Sequence, residues 1–320
     1  MQDHDYVDLK AEYDKFDDTY IPFVRLPKEV HNSSNCRLFE IMVSEYNSRM
    51  LTYLEDALNA IQGLLSEFKH TMFTTGFHFG LPLINLRRSL GWMVTGLCLG
   101  EARRSSFPTW SWSGWQTKQA ITFDNIEYDG IQPPLGIWTP AGDPITDYRP
   151  DQPSNTDTGT GMIASLTGSA DRVRDNRVSP IVRADIEQLG TNLTVQGIVL
   201  QLRITTTSEA FILHSRYNCQ LHPKMGTSLE GCIQLNFDRD EIVGGDHSRA
   251  AQLHLDGSQR DLLWLNVRDV DGRVYIALLY LRWKDGIAYR KGHVSAWHRD
   301  HSCLEFLHQA NPRLMKFQLG

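Results

Sequence analysis

Apolar residues recur with a helical period through the first third of the chain and with a period near two through much of the rest. Over residues 36–51, Leu38, Ile41, Met42 and Tyr46 approximate a 3.6-residue repeat and predict a helix. Thr52, with Glu55 three residues on, has the form of a capping box. The stripe Leu54, Leu58, Ile61, Leu65 and Phe68 then predicts a second helix with one buried face. Gly63 interrupts it at a cost of about 1 kcal/mol, the mark of a close crossing. Residues 69–82, with Thr74, Thr75, Gly76, Gly80 and Pro82, read as a connecting loop. A third helix is expected from Leu83, Leu86, Leu90, Val94 and Leu97, ended by Gly96 and Gly100.

Residues 107–115 (FPTWSWSGW) break that period. Trp110 and Trp112 are two apart, so on a strand they share a face while Thr109, Ser111 and Ser113 line the other. Gly114 allows a turn or bulge before Trp115. Two uses of these rings stand. One is a core strand, each buried indole removing roughly 150–250 Å² from water. The other is a stacking platform for a sugar or a base.

Further strands are expected at 119–124, 126–128, 211–213, 232–237 and 262–267. Residues 193–206 alternate apolar and polar, with Leu193, Val195, Leu200, Leu202 and Ile204 inward and a frame shift at Gly197 that suggests a bulge. Asp271-Gly272 and Asp285-Gly286 are hairpin signals on either side of the apolar strand 274–283, which returns through 287–294. A short helix at 304–307 and a strand at 314–319 complete the pattern. Residues 140–180 hold five prolines and four glycines and predict a disordered surface loop. The expected class is α+β: an acidic N-terminal strap (1–35), a helical layer (36–104), and a β-rich region (105–320) forming an antiparallel sheet or sandwich against that layer.

Composition narrows the function more than the fold. At 320 residues and 41% hydrophobic content the chain can bury a large core, in one domain or two. A formal charge of −6 argues against non-specific nucleic-acid binding, which needs a basic stripe. No run of 18 apolar residues is present, so no membrane span is expected. The start, Met1-Gln2-Asp3-His4-Asp5, lacks the form of a secretory signal. Five widely spaced cysteines with no C-x-x-C fit reduced thiols in a cytoplasmic protein.

Candidate chemistry is sparse. His214, Cys219, His222 and Cys232, and separately His298, His301 and Cys303, have spacings that match no compact zinc set. Asp269-Val270-Asp271-Gly272 begins like a calcium loop, but the twelfth position is Tyr280. No G-x-S-x-G elbow occurs. Serine, histidine and aspartate are plentiful, yet no local pattern pairs them, which leaves a nucleophilic triad open. No cofactor or metal is expected. Arg103 and Arg104 have two readings: they satisfy carbonyls at a helix end, or they clamp an acidic group on a partner or on the chain's own N-terminal strap.

Residues 107–115, preceded by Arg103-Arg104, resemble the F-P-S-W-S-W-[AS]-G-W block of fungal heterokaryon-incompatibility (HET) domain proteins, with Thr109 in place of the usual serine. Upstream, Tyr46, Arg49, Leu51, Thr52, Asp56, Ala57, Leu58, Asn59, Ala60, Ile61, Gly63 and Leu64 are similar to that family's Y-S-x-R-x-L-T-x-x-x-D-A-L-N-A-[FI]-x-G-[IL]-L stretch. Gly80-Leu81-Pro82 supplies a G-L-P between the two. Residues 285–292 and 316–320 resemble the family's closing D-G-x-A-x-R-x-G turn and K-x-x-x-L-G.

The resemblance implies a fungal protein related to those that trigger incompatibility and programmed cell death when genetically different cells fuse. The blocks that open the HET domain, Y-x-A-L-S-Y-x-W-G and W-[IV]-D-x-x-C-I-[ND]-Q, do not occur, so the chain resembles the downstream half. The expectation is a non-enzymatic recognition or regulatory region acting through protein contacts. Its family-motif residues would be Asp56, Asn59, Phe107, Pro108 and Gly114, and its binding candidates Arg103, Arg104, Trp110, Trp112 and Trp115. The alternatives are a glycan- or small-molecule-binding β domain built on the tryptophans, and a degenerate fragment.

Overall fold

A computed structural model of the chain describes residues 32–49, 51–83, 86–95, 102–117, 120–123, 135–138, 191–206, 216–224, 226, 228–235, 252–270, 273–298, 306–307 and 309–320. Most of the expected strap, the loop at 140–180 and the short strands at 126–128 and 211–213 lie outside these residues. The class is α+β, dominated by one large and mostly antiparallel sheet.

That sheet closes on itself. Strands β8 (Leu193–Thr206), β9 (Arg216–His222), β10 (Leu229–Leu235), β11 (Asp256–Val270), β12 (Arg273–Lys284) and β13 (Ile287–His298) pair in the ring β10-β9-β8-β11-β12-β13, and β13 pairs back to β10. Closure leaves these six strands without a free edge over the paired stretch. The antiparallel sheet expected from the alternation is present, closed into a ring. The interior is apolar and drawn from every strand: Leu200 and Leu202 of β8, Leu221 of β9, Ile233 of β10, Trp264 of β11, Ile276 and Leu278 of β12, and Val294 of β13. Strand β14 (Arg313–Leu319) runs antiparallel to the first half of β8, and β7 (Leu135–Trp138) lies along its opposite edge.

The frame shift in β8 is not a bulge. Its register with β14 is unbroken from Leu193↔Leu319 to Val199↔Arg313. The strand instead passes between two cores. Leu193, Val195 and Val199 are buried on one face, and Ile198, Leu200, Leu202 and Ile204 on the other. True register shifts occur between Trp264 and Asn266 in β11, and opposite Tyr280 and Leu281, where β13 has one residue more. The shift in β11 lets Leu262, Trp264 and Val267 all face the barrel interior. At the β12–β13 turn Asp285 (φ 52°) and Gly286 (φ 78°) both adopt the left-handed region, as a two-residue hairpin requires.

Residues 32–123 are less helical than expected. Helix α1 (Asn32–Asn47) is followed by 3-10 turns at Leu54–Ala57 and Asn59–Ile61, then helix α2 (Gln62–Thr71). The capping box does not form: Tyr53 occupies the N-cap of the first turn, and no side chain caps it. The third helix reduces to one turn, α3 (Leu86–Ser89), because the apolar residues beyond it are used as strand β3 (Met93–Thr95), paired with β6 (Ala120–Thr122). Short antiparallel pairs β1 (Phe77–His78) with β2 (Leu81–Pro82), and β4 (Ala102–Arg103) with β5 (Trp115–Gln116), complete the region. Phe39 of α1 centres its core, with ring centroids 5.4–5.7 Å from Phe68, Phe73, Phe77 and Phe123. Ser44 ties α1 to β6 by donating to Ile121 O at 2.5 Å and accepting from Ile121 N at 3.0 Å.

Gly63 does not mark a close crossing: a Cβ there would meet nothing within 4 Å. Gly63→Ala is therefore expected to stabilise the chain by about 0.5–1 kcal/mol, seen as a higher midpoint in urea. A lower midpoint would show that something in solution uses the vacant space.

Candidate functional site

The stretch that carries the resemblance is a buried loop and not a strand. Between β4 and β5 it turns twice, with a 3-10 turn at Trp112–Gly114. Trp110 and Trp112 are 0% exposed and Trp115 1%. The local reason is that each indole finds a carbonyl, which a regular strand would have used in its ladder. Trp110 Nε1 donates to Thr191 O at 3.1 Å, Trp112 Nε1 to Gly80 O at 2.9 Å, and Trp115 Nε1 to Thr109 O at 3.0 Å. Trp92, just before β3, joins them by donating to Trp110 O at 2.8 Å. Ser111 and Ser113 are also fully buried, and both hydroxyls donate to Phe79 O. The two-faced pattern of tryptophans against hydroxyls is thus absent.

Arg103 and Arg104 hold this loop from inside. Arg103 Nη1 donates to Arg104 O and to Gly114 O, and its Nη2 to Phe107 O. Its guanidinium carbon lies 5.4 Å from the Trp115 ring centre. Arg104 is 1% exposed. Its Nη1 donates to Asn47 Oδ1 at 2.9 Å, Ser113 O at 3.1 Å and Trp115 O at 3.0 Å, while Nε and Nη2 meet no acceptor. Burial lowers its pKa to about 10, so it stays charged at neutral pH. The carbonyl-satisfying reading of the arginine pair fits this geometry, but the carbonyls belong to the tryptophan loop and not to a helix end.

Gly114 and Pro108 make the tight point. A Cβ on Gly114 would collide with Pro108 O and with Arg103 Nη1. Gly114→Ala is expected to cost about 1–3 kcal/mol by overpacking, measured by urea unfolding. An unchanged midpoint would mean that the loop yields freely. Asp56 and Asn59 sit elsewhere, at the surface of the 3-10 turns, with Asn59 Nδ2 donating to Asp56 Oδ1 at 3.3 Å.

The loop also joins the two regions of the fold. The Thr109 hydroxyl donates to Gly320 O and accepts from Arg290 N at 3.0 Å. Arg290, 1% exposed on β13, lays its guanidinium carbon 3.6 Å from the Trp92 ring centre and donates to Trp92 O. Gln234 of β10 donates to Val94 O of β3. No protein-family model, curated protein or solved structure matches this chain. What the stretch can do is therefore read from its geometry alone. A stacking platform needs exposed rings, and Trp110, Trp112 and Trp115 present none to solvent.

Three further groups complete the chemistry. His78 is 2% exposed, stacks on Trp110 at 5.4 Å between ring centres, and has no partner for Nε2. Burial alone lowers its pKa to about 4. Cys219 lies inside the barrel, and the register places Cys232 on the opposite face of its sheet. Burial, then Cys232, pushes the Cys219 thiol up to about 12. Among the described residues no group of three or more His, Cys, Asp or Glu could hold a metal ion. Finally, the ladder brings Thr205, His222 and Ser228 together. Sequence spacing gave no sign of that trio, because only the strand register makes them neighbours. Among the described residues no helix is long and apolar enough to cross a membrane.

Proposed function

We propose that this chain is a recognition or regulatory region of a heterokaryon-incompatibility-type protein, acting in the cytoplasm through protein contacts and not by turning over a substrate. One observation carries the reading: the three blocks on which the resemblance rests converge on a single ring. Trp112 takes the edge of Tyr46 from the first block, with centroids 6.3 Å apart and planes at 81°. It donates to Gly80 O of the second. A side chain on Gly80 would overlap that same indole and Leu58. Tyr46 in turn donates to Ala57 O at 2.6 Å, and Arg104 to Asn47. Residues scattered over 46–115 thus serve one assembly, which supports reading them as one motif set.

In this reading residues 36–104 form the layer laid over the flank of the sheet, and the motif is the means of holding it there. The surface offered to a partner is the outside of the 3-10 turns, where Tyr53 is 62% exposed beside Glu55 and Asn59.

Co-expression in a filamentous fungus with a protein that carries the Y-x-A-L-S-Y-x-W-G block tests the reading. The expected result is a stable complex on size exclusion and a changed frequency of cell death. Weakening of the complex by Tyr53→Ala would place the contact on the 3-10 turns. Separate elution with an unchanged death frequency would overturn the reading.

A further inference from the structure

Away from the tryptophan loop, one group of side chains joins a hydroxyl nucleophile, a base and a third group in a chain of hydrogen bonds. His222 ends β9, Ser228 stands one residue before β10, and Thr205 lies near the end of β8. Ser228 Oγ is 2.6 Å from His222 Nδ1, and Thr205 Oγ1 is 2.7 Å from His222 Nε2. All three residues are half-buried, so solvent reaches their edge of the barrel. The register makes the trio: Arg203 pairs with His222 and Thr205 with Gln220, and β9 meets β10 from Leu221↔Leu229 onward. Gly257 of β11 lies alongside Thr205, and a Cβ there would stand 3.4 Å from its methyl.

A neutral imidazole has one donor and one acceptor nitrogen. Burial, then the neighbouring Arg203, holds the pKa of His222 below its ordinary value, which keeps the ring neutral at neutral pH. With Nε2–H donating to Thr205, Nδ1 accepts from Ser228. That is the order nucleophile, base, orienting group. Thr205 is the poorer nucleophile of the two: its hydroxyl is secondary and β-branched, and its strand is laddered on both sides, to Asp256 and to Gln220. Ser228 stands just before β10 and takes no part in the ladder, which begins at Leu229.

We propose that Ser228 is an acyl-accepting nucleophile for an activated ester or thioester, with His222 as its base and Thr205 as the positioning residue. Ser228 Oγ attacks the acyl carbon while its proton passes to His222 Nδ1. The tetrahedral adduct then collapses, the bond from the acyl carbon to the leaving sulfur or oxygen breaks, and the leaving group takes the proton from the imidazolium. The product is an O-acyl serine on this chain. The proposal concerns a modification site and stands apart from the protein-contact reading, so either can fail without the other.

The test treats the full chain with p-nitrophenyl acetate and maps the acetylated peptides. Acetyl is expected on Ser228, formed at least about 100-fold faster than on the same serine in the urea-unfolded chain, the usual yield of a positioned base. S228A loses this adduct, and H222Q slows its formation to the unfolded rate. H222Q also removes a hairpin contact, so the deciding readout is the pH profile of the unmodified chain: the rate follows one deprotonation with a pKa below 6.5. In T205V that pKa falls further, because a methyl replaces the acceptor that the imidazolium's Nε2–H uses. Acetylation of Ser228 no faster than in the unfolded chain, acetyl on Thr205 in its place, or a rate without a histidine-range inflection would each overturn the proposal.

Discussion

Trp112→Ala is expected to be the most damaging single truncation in the tryptophan loop, at about 3–5 kcal/mol. The ring is fully buried, so its removal leaves a cavity as well as the lost transfer free energy. It also strands Gly80 O, whose indole donor is gone, and removes the surface against which Tyr46 packs its edge. For a domain whose whole stability is about 5–15 kcal/mol, this removes from about a fifth of the margin to all of it. Urea unfolding followed by far-UV dichroism measures it. Trp112→Phe should fall between the two, since it keeps much of the volume and none of the hydrogen bond. A Trp112→Ala loss under about 1 kcal/mol would show that the ring is not packed as described.

The second large effect is set by acid. The His78 ring ionises near 6.5 when unfolded and near 4 when folded. Between those values the unfolded chain holds more protons, so lowering the pH favours unfolding. The stability is fully present above about pH 6.5 and is lost as pH falls toward 4, by about 3 kcal/mol in all at about 1.36 kcal/mol per pKa unit. The charged ring would have to enter a site where Nε2 has no acceptor and Trp110 covers one face. His78→Phe keeps a stacking ring and loses the titration. Its stability should therefore be nearly flat over the same pH range, apart from the slope that other groups contribute. Equal slopes for His78→Phe and the unmodified chain would refute the assignment.

The barrel was the more legible part of the sequence. Strand β8 spans the 193–206 run read from its alternation, and the apolar segment 274–283 falls within β12, which ends at the Asp285-Gly286 turn, while Asp271-Gly272 lies outside the described residues. Those signals are local, and the strands obey them. Ring closure was not legible, since the pairing of β10 with β13 joins Leu235 to Gly292 and leaves no trace in either strand's pattern. The third helix failed for a different reason. Leu83, Leu86, Leu90 and Val94 are all buried, as a helix face would be, but so are Leu81 and Trp92 between and beside them. Periodicity names a helix only when one face is left polar, and here burial extends beyond one face. At the candidate site, the identities of Arg103, Arg104 and the tryptophans were visible, but their task was not. The period of two between Trp110 and Trp112 reflects two separate indole–carbonyl bonds in a turn, where a strand would have shown the same spacing.

The hydrogen bond from Thr109 to Gly320 spans 211 residues. During synthesis, at about 5–20 residues per second, Thr109 waits roughly 10–40 s for that partner to be made. Through that interval the loop lacks its contacts with Thr191, Arg290 and Gly320 for all or part of the time. The growing polypeptide thus carries an unfinished tryptophan-rich loop for longer than most of its own secondary structure takes to form, which makes the ribosome-bound stage a natural point for chaperone engagement.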